Sequence, residues 1–457
     1  MQVSDTASIK IVNDIRVTVP ASSAFMTSFI LQEQNDWFED EIKFVRHFIK
    51  PGMKVIDIGA NYGLYTLTIA KIIGESGRLW AFEPTEATSA CLRASILENK
   101  LNNIKLIQSG LSDRLGEARL FTSQNSELNS LSKDAASGDQ YESITLSTLD
   151  HCQQEYGWKH IDFIKLDAEG EEGNILKESK RTLASLSPLV MFELKHGPDI
   201  NLPLINKFGN MGYSSYRLIP GLNMLVKFNP DEPFDGYLLN LFCCKEDKAE
   251  LLEKEGIIVR DWEEINTGNE LLAQEYVGKL AFVESLLDTI NSRQSDDTQD
   301  YYAILNAYIM SLSESASSSD RVGYLMGSLR NLRTMLAKGE QSVERMVTFS
   351  RIAFDAGERQ LGVRILSHLI NKYGANINCE IKDFFLPAAQ RYDGVDPNNK
   401  IKEWLFSSIL EQCIIKHHYS SYFSGKAALP LFERLNELGF IDENMRRRRQ
   451  LVKTCFS

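Results

Sequence analysis

The sequence predicts an α/β domain with a parallel sheet covered by helices on both faces, followed by an all-α domain. From Lys54 to about residue 195, short β-branched runs alternate with stretches of helical spacing, which is typical of a parallel sheet. After Lys245 strand patterns almost disappear, and helical patterns continue to the end. We therefore expect an α/β domain at 1–245, a charged linker at 246–270 and a helical domain at 271–457.

Length and composition agree with this division. A chain of 457 residues and 51.8 kDa is too long for one ordinary core, so two domains are expected. Hydrophobic residues make up 43% and charged residues 25%, as in soluble globular proteins. The formal charge of −12 argues against nucleic acid as a partner, because phosphate binding needs a basic face. The short basic run 446–449 is interpreted as a solvated helix end.

The predicted compartment is the cytoplasm. The seven cysteines form neither a CxxC pair nor a zinc-like cluster, and their odd number suggests reduced thiols. The first residues lack a basic region followed by an apolar one, so no signal peptide is expected. No apolar run reaches the ~20 residues of a membrane-spanning helix, so no transmembrane segment is expected.

The elements of the first domain follow in a clear order. Residues 8–19 predict a hairpin around Asn13-Asp14, and 35–50 show helical spacing that ends at Pro51-Gly52. The predicted strands are KVIDIG, RLWAFEP, IKLIQSG, IDFIKLD and LVMFEL, with helices near 64–73, 86–100 and 171–184 and closing strands within 213–227 and 237–244.

The second domain shows helical patterns only. We expect its helices to form stacked hairpins that serve partner binding, self-association or acceptor positioning, although no strict repeat period is present. The predicted helices are 270–291, 299–314, 320–338, 341–356, 358–373, 380–392, 400–416 and 427–438.

The junction between the first parallel strand and its helix, VIDIGANYGLYT, has almost no bulky side chains. In an open parallel sheet, ligands bind beyond the carboxyl ends of the strands, where the chain order reverses. Small residues there would let a dinucleotide or S-adenosylmethionine approach the backbone. The spacing favours the second, because a dinucleotide fingerprint is GxGxxG and this loop has Asn61 between Gly59 and Gly63. The preceding acid, Asp57, suits an amino-acid ammonium group, directly or through a water.

The second parallel strand ends in a further acid. Glu83 in WAFEP lies where a carboxylate can accept hydrogen bonds from both ribose hydroxyls. Such an acid also occurs in dinucleotide-binding folds, so Glu83 alone does not identify the cofactor. The combination of DxGANxG with FEP is more specific and favours S-adenosylmethionine. The alternative is a purely structural role, in which the segment is a glycine turn with a helix-capping acid.

These motifs resemble those of the FkbM-type S-adenosylmethionine-dependent methyltransferases over about residues 35–195. The similar segments are VIDIGANYGLYT, AFEPTEATSACLRASILEN, GLSDRLGEARL, and ITLSTLD followed by IDFIKLDAEGEEGNIL. A glycine often present in the family after Leu176 is replaced here by Lys177-Glu178. The resemblance implies a Rossmann-like class I methyltransferase sheet, S-adenosylmethionine as cofactor, and cofactor-binding residues Asp57, Gly59, Ala60, Asn61, Gly63, Thr66, Glu83, Pro84, Gly110, Leu111, Ser112 and Asp167.

Acids at the ends of the fourth and fifth strands are the candidates for catalysis. Asp167 and Glu169 in KLDAEG, with Glu193 in MFEL, would face the donor methyl group, and Lys195 and His196 lie just beyond. Each has an alternative interpretation: Asp167 as a helix cap or methionine ligand, Glu169 as a helix-start acid, and His196 as a surface residue. Asp167, Glu169 and Glu193 could together bind a divalent cation through oxygen ligands.

The resemblance implies an O-methyltransferase that acts on a hydroxyl of a sugar, glycan or glycolipid precursor. Two alternatives remain: a methyltransferase with a non-carbohydrate acceptor, and a cofactor-binding scaffold whose helical domain recruits a partner. A nicotinamide-dependent dehydrogenase does not fit the glycine spacing. Fold alone does not identify the acceptor.

Overall fold

The computed structural model describes residues 5–121, 141–196, 199–268, 270–290, 296–339, 342–374 and 377–456. The contacts among Cα atoms divide the chain into two compact units. The first consists of Met1–Leu218, Leu225–Phe234 and Leu238–Ile258, and the second of Ile219–Met224, Asp235–Tyr237 and Val259–Ser457. The domain bounds proposed from the sequence stay a prediction.

The strands of the described residues lie between residues 6 and 259. They are β1 (Thr6–Ile11), β2 (Ile15–Pro20), β3 (Lys54–Ile58), β4 (Arg78–Phe82), β5 (Ile104–Ile107), β6 (Gly110–Leu111), β7 (Gly116–Phe121), β8 (Tyr141–Ser147), β9 (Phe163–Leu166), β10 (Leu189–Glu193), β11 (Lys195–His196), β12 (Asp199–Ile200), β13 (Ser214–Ile219), β14 (Met224–Lys227), β15 (Asn240–Cys244) and β16 (Ile258–Val259).

The helices alternate with strands at first and then continue alone. They are α1 (Met26–Gln34), α2 (Glu41–Phe48), α3 (Leu64–Ile73), α4 (Glu86–Glu98), α5 (Leu149–Tyr156), α6 (Glu172–Ile175), α7 (Lys180–Leu186), α8 (Leu202–Gly209), α9 (Glu246–Lys254), α10 (Glu270–Val277), α11 (Val283–Ile290), α12 (Asp296–Ser311), α13 (Ser318–Ala337), α14 (Val343–Asp355), α15 (Arg359–Tyr373), α16 (Ile401–His417), α17 (Ser421–Ser424), α18 (Leu429–Leu438) and α19 (Glu443–Phe456).

The predicted α/β fold with a Rossmann-like sheet is confirmed. Within the described residues, nine strands form the main sheet in the order β16-β14-β13-β15-β10-β9-β3-β4-β5. The strands from β10 to β5 pair in parallel, whereas β15 is antiparallel to both β10 and β13. The chain moves from β3 to β4 and β5 on one side and later to β9 and β10 on the other. The strand order therefore reverses between β3 and β9, where a ligand crevice is expected.

Two hydrophobic cores cover the opposite faces of this sheet. Because successive side chains of a strand alternate, Val55 and Phe163 enter one core while Ile56 and Ile164 enter the other. The first core also receives Phe44 from α2, whose ring meets Phe242 of β15 edge-on. Helices therefore lie on both faces, as a mainly parallel sheet requires.

The helix predicted over 35–50 is shorter than its apolar spacing suggests. It begins at Glu41 and ends at Phe48. Asn35 has a left-handed backbone with φ 54°, and Asp36 accepts a hydrogen bond from the backbone N–H of Trp37. Asp36 also holds Arg46 through two hydrogen bonds. These local bonds compete with helix formation, so residues 35–40 form an irregular segment ahead of α2.

The second unit is helical, as predicted, with two corrections. The helix expected over 270–291 is divided into α10 and α11. The helix expected over 380–392 does not form, and this stretch is irregular up to a short 3₁₀ turn at Gln390–Gly394. Its backbone N–H groups instead bond side chains of α14, from Asp383 to Glu344 and from Leu386 to Thr348. Pro387 also opposes a continuous helix.

Successive helices of the second unit pack on one another. The pairs α12–α13, α13–α14, α14–α15 and α15–α16 are all in contact, and α16 continues to α18 and α19. All seven cysteines are free thiols in the structure. Among the described helices, none is long and apolar enough to cross a membrane.

Candidate functional site

The loop between β3 and α3 lies at the point where the strand order reverses. Gly59 and Gly63 both have positive φ angles, +75° and +89°. A Cβ atom on Gly59 would collide with the backbone carbonyl oxygen of Asp167, and one on Gly63 with the Leu92 side chain. Packing within the chain therefore requires both glycines. Their presence alone does not indicate a ligand.

The backbone N–H groups of this loop are bonded within the chain. Gly59 and Ala60 both donate to the carbonyl of Phe82, and Gly63 donates to the carbonyl of Ala60. Asn61 donates its N–H to Glu83 Oε2 at 3.0 Å, and its own side chain accepts from the N–H of Tyr62. Five consecutive donors are thus used internally. A diphosphate would need such donors, so the loop is poorly suited to a dinucleotide, as the glycine spacing predicted.

Glu83 connects the loop to the start of α4. Its Oε2 accepts from Asn61, and its Oε1 accepts from the backbone N–H and the hydroxyl of Thr85, at 3.0 and 2.6 Å. Burial raises the pKa of this carboxyl, while the bonds from Thr85 and Asn61 oppose the rise. A carboxylate has about four lone-pair positions, and these bonds use three. The predicted hydrogen bonds from the ribose hydroxyls would have to use the remaining lone-pair position of this carboxylate.

A buried lysine on β9 lies between two predicted acids, one on β3 and one directly after β9. The Nζ atom of Lys165 is 2.8 Å from Asp167 Oδ2, 3.4 Å from the carbonyl oxygen of Gly59 and 3.8 Å from Asp57 Oδ1. Thr66 holds the other oxygen of Asp57 by a hydroxyl bond of 2.5 Å. The side chain of Asp57 is 0% exposed and that of Asp167 is 31% exposed. Asp167 is therefore the end of this cluster that a ligand can reach.

Charge and burial act against each other in this cluster. Burial raises the pKa of Asp57, and the neighbouring Lys165 and Thr66 counteract that rise. For Lys165, burial would lower the pKa, but the charges of Asp167 and Asp57 outweigh it and the pKa lies above its usual value. Lys165 therefore stays a cation. A buried lysine is rare without such partners, which marks the cluster as a candidate functional centre.

A second network lies beside the first. The hydroxyl of Tyr65, in the first turn of α3, donates to Glu39 Oε2 at 2.5 Å. The side-chain amide of Asn240, at the start of β15, is 3.5 Å from the same oxygen. The ring centroid of Tyr65 lies 5.4 Å from Lys165 Nζ, which joins the two networks. Burial raises the pKa of Glu39, and the charge of Asp167 adds to the rise.

Three carboxylates gather at the ends of β9 and β10. Asp167, Glu172 and Glu193 each place one oxygen within 4.8 Å of the others. Glu172 accepts the backbone N–H groups of Ala168 and Gly170, at 2.8 and 3.3 Å. Glu169, predicted in the same role, has a left-handed backbone with φ 51° in this turn. The acid that the fold adds to Asp167 and Glu193 is thus Glu172, whereas the sequence singled out Glu169.

The residues expected beside the adenine lie on a separate three-stranded sheet. Gly110 and Leu111 form β6, which pairs with β8. A Cβ atom on Gly110 would be 3.8 Å from Pro84, so these two predicted residues are neighbours. Ser112 is buried, and its hydroxyl donates to Glu171 at 2.8 Å. Lys195 and His196 form the short strand β11.

Sequence reasoning missed several members of the site. Lys165 had one signal, because a lysine inside the apolar strand FIKL needs a buried partner. Asn240 had a similar signal at the start of the apolar strand NLFCC. Glu39 and Tyr65 had none, because their meeting depends on how the segment before α2 folds over α3. All four lie in the first unit, near the predicted Asp57 and Asp167.

Known proteins resemble this chain over its α/β part. Residues 57–215 match the model described as the methyltransferase FkbM domain. A curated relative, the probable cobalt-precorrin-6B C(15)-methyltransferase (decarboxylating) of Sulfurisphaera tokodaii, is 33% identical over 57 residues. That match covers 12% of this chain and 30% of the relative, so the chain spans under one third of the relative's length.

Two solved structures are similar to part of this chain. Methyltransferase FkbM from Methylobacillus flagellatus is 16% identical, with coverage of 44% of this chain and 50% of that chain and a TM-score of 0.30. A putative rRNA methylase from Clostridium thermocellum is 12% identical, with coverage of 46% and 95% and a TM-score of 0.30. Residues 57–215 thus match the methyltransferase FkbM domain, and the resemblance named from the sequence over about 35–195 is confirmed where the two ranges overlap.

Proposed function

We propose that this chain is an S-adenosylmethionine-dependent O-methyltransferase that methylates a hydroxyl of a sugar, glycan or glycolipid precursor. The observation that carries the proposal is the cluster of Asp57, Lys165 and Asp167. It lies at the reversal of strand order, inside the segment that matches the methyltransferase domain. Its charges suit a cofactor with an ammonium group and a carboxylate at one end.

The residues present fit that cofactor. Within the described residues, Asp57 Oδ1 is buried and forms no hydrogen bond, since its contact with Lys165 is 3.8 Å long. Such an atom is costly to bury without a compensating charge or ligand. Asp167 would hold the amino-acid end directly, and Asp57 would act behind it. Glu83 would hold the ribose, with Pro84 and residues 110–112 beside the base.

The chain's task in methyl transfer is alignment and proton removal. The cofactor supplies an activated methyl group, so the protein must place the acceptor oxygen in line at about 3–3.5 Å. An aliphatic hydroxyl has a pKa near that of water, ~15.7, so its proton must leave during attack. Asp167, Glu169 and Glu193 remain the proposed catalytic acids, and Glu172 joins Asp167 and Glu193 in space.

The polar groups around the crevice support a hydroxyl-bearing acceptor. Carboxylates of Glu39, Asp167 and Glu193 accept hydrogen bonds, and the amide of Asn240 can both donate and accept. Sugar hydroxyls are donors that such groups bind well. A phosphate-rich acceptor would meet mostly like charge, with the buried Lys165 as the nearby cation described in this cluster.

A divalent cation could also assist removal of the hydroxyl proton, because it would lower the pKa of a hydroxyl bound to it. The residues proposed as its oxygen ligands are Asp167, Glu169 and Glu193, and the grouping of Glu172 with Asp167 and Glu193 favours Glu172 in place of Glu169. Activity that survives thorough chelation would reject the cation.

Two experiments test the proposed function. Calorimetric titration should show binding of S-adenosylmethionine and no comparable binding of NAD. Incubation with labelled S-adenosylmethionine and a panel of sugars, nucleotide sugars and oligosaccharides should then give a methyl-sized mass gain. Binding without transfer to any acceptor would favour the scaffold alternative, and transfer to non-carbohydrates alone would reject the sugar.

The remaining proposals concern the helical unit and the compartment. We propose that the stacked helices bind a partner, mediate self-association or position the acceptor, and that the protein works in the cytoplasm. Light scattering of the full chain at several concentrations tests self-association. Fractionation of cells tests the compartment.

A further inference from the structure

Glu39 lies beside the proposed active centre but comes from a separate part of the chain. It lies in the irregular segment 35–40, outside the residues that match the methyltransferase domain. The fold nevertheless brings its Oε2 atom to 2.5 Å from the hydroxyl of Tyr65 and 3.5 Å from the amide nitrogen of Asn240. The three residues come from the segment before α2, from α3 and from β15. Their meeting is therefore a product of the tertiary structure.

This network lies beside the cofactor cluster. Tyr65 follows the 59–63 loop by two residues, and its ring centroid is 5.4 Å from Lys165 Nζ. Lys165 in turn bonds Asp167, the exposed end of the cofactor cluster. Asn240 is the direct cross-strand partner of Glu193. Glu39 thus lies on the side of the crevice where the predicted catalytic acids end.

The network has one accessible member. Tyr65 and Asn240 are each 4% exposed, whereas Glu39 is half-buried. Burial raises the pKa of Tyr65 well above its usual value, and the charge of Glu39 raises it further. Tyr65 therefore stays protonated, and its hydroxyl donates a hydrogen bond to the carboxylate of Glu39. A carboxylate that is held by hydrogen bonds from Tyr65 and Asn240, on a half-buried residue, has the geometry of an oriented base.

The electrostatic surroundings favour proton uptake at this position. The groups that face Glu39 are Tyr65 on α3, Lys165 on β9, Asp167 directly after β9, Glu41 at the start of α2, and Trp37 in the same segment as Glu39. Burial is the main cause of the raised pKa of Glu39, and Asp167 adds to it, while Tyr65 and Lys165 oppose it. A carboxyl with a raised pKa is a stronger base than an exposed one, which is what a hydroxyl acceptor requires.

We propose that Glu39 is the catalytic base that accepts the proton of an uncharged acceptor hydroxyl, with Tyr65 and Asn240 holding its carboxylate. This assignment rests on the proposed methyl transfer. The O–H bond of the acceptor breaks, and its proton passes to Glu39. The electron pair left on oxygen forms the new bond to the methyl carbon, while the pair of the broken S–C bond stays on sulfur. The products are a methyl ether, a neutral thioether and a protonated Glu39, which returns its proton to water.

The test compares three variants of the full chain. Glu39→Gln keeps an acceptor oxygen for Tyr65 but cannot take a proton, and Tyr65→Phe removes the donor that orients Glu39. Asp40→Asn is the matched control, because Asp40 is the next residue and its carboxylate pairs with the exposed Lys43 at 3.1 Å. Each variant is titrated calorimetrically with S-adenosylmethionine and with S-adenosylhomocysteine. Each is then assayed for labelled methyl transfer to glycerol and to a panel of methyl glycosides.

We expect Glu39→Gln to bind both ligands within about threefold of the wild type and to transfer methyl groups about 10²–10⁴-fold more slowly. Tyr65→Phe should be slower by a smaller factor, with its pH–rate profile displaced relative to the wild type. Asp40→Asn should match the wild type in binding and transfer.

Three outcomes overturn the assignment, and they separate it from the proposed function. Transfer by Glu39→Gln at more than one third of the wild-type rate rejects the base and leaves methyl transfer intact. A loss of S-adenosylmethionine affinity greater than tenfold shows that Glu39 holds the cofactor, which also rejects it. Wild-type protein that binds S-adenosylmethionine but methylates no hydroxyl probe removes both the hydroxyl chemistry and its base.

Discussion

Lys165 lies directly opposite Asp57 in the parallel sheet, and its Nζ atom is 3.8 Å from Oδ1 of that residue. Two neighbouring strands thus place a cation and an anion side by side in the interior. The exposed Asp167 then bonds the same lysine at 2.8 Å. A buried charge of this kind is stable only with its partners, which makes the cluster sensitive to single substitutions.

Lys165→Met should destabilise the fold by about 3–5 kcal/mol, because it leaves Asp57 buried without a counter-charge. Without Lys165, the folded-state pKa of Asp57 rises further above its unfolded value. A raised pKa gives stability at low pH that is lost as pH rises, so the deficit should be larger at pH 8 than at pH 5. Urea unfolding of both proteins at the two pH values measures it.

The control for this variant is Lys177→Met, which removes an exposed lysine paired with Asp113. It should change stability by no more than about 0.5 kcal/mol. A Lys165 deficit that is equal at both pH values would contradict the role assigned to Asp57.

Gly59→Ala should lower the free energy of unfolding by more than the usual cost of placing alanine in a left-handed backbone conformation. At φ +75° the new Cβ would both strain the backbone and collide with the carbonyl of Asp167. Gly157→Ala is the matched control, since its φ is +64° and no atom lies within 4 Å of the added Cβ. The control should cost about 1–2 kcal/mol. Thermal unfolding with calorimetric titration of S-adenosylmethionine compares them, and equal effects would show that the contact with Asp167 is unimportant.

Glu83→Gln should weaken S-adenosylhomocysteine binding by about 10–100-fold, the range expected for a lost hydrogen bond to a charged group. The amide would also turn a donor towards the N–H of Asn61 or Thr85. If Glu83 binds the ribose, the wild type should bind the 2′-deoxy analogue more weakly than S-adenosylhomocysteine. The variant should bind the two ligands with equal affinity. An analogue penalty that is the same in both proteins would reject the ribose contact.

Glu41→Gln should flatten the decline of stability with pH. The pKa of Glu41 is raised to about 8, chiefly by burial and then by the charge of Glu39. The folded state therefore holds this proton more tightly than the unfolded state, and stability falls as pH rises from about 5 to 8. One proton contributes at most about 1.4 kcal/mol per pH unit, which the variant should remove from the slope. Unfolding at several pH values measures it, with the partly exposed Glu98→Gln as the control.

Asp393→Asn should destabilise the helical unit by about 3–5 kcal/mol. The Arg351 side chain, 4% exposed, bonds Asp393 through two nitrogens, at 2.6 and 2.7 Å. The same guanidinium also donates to the hydroxyl of Tyr308. Denaturant unfolding measures the loss, and Glu380→Gln, which breaks an exposed pair with Lys382, should have almost no effect. A small loss in Asp393→Asn would mean that water replaces the aspartate.

Much of the fold could be predicted because its signals are local. Alternating β-branched runs indicate β3, β4, β9 and β10, and helical spacing indicates α13 to α16. The bare loop after Asp57 also has a local cause. Strands and helices of this kind follow from neighbouring side chains, since periods of two and of about 3.6 residues decide which face is apolar.

Two segments depend on side-chain hydrogen bonds that apolar spacing does not reveal, so their structure could not be predicted. The stretch 380–392 has helical spacing, yet side chains of Glu344 and Thr348 on α14 bind its backbone N–H groups. The segment 35–40 is turned by Asp36, which bonds Arg46 and the N–H of Trp37. In both cases side chains compete with the bonds that a helix would make.

The sequence by itself determined the order of strands and helices, the small residues after β3 and the acids at the strand ends, because each depends on residues close in the chain. Only the tertiary structure decided which charges meet. Glu39 reaches Tyr65 across 26 positions and Asn240 across 201. Lys165 meets Asp57 because two strands far apart in the chain pair in one register. Burial then makes these distant pairs obligatory, since an unpaired charge in the interior is far more costly than one at the surface.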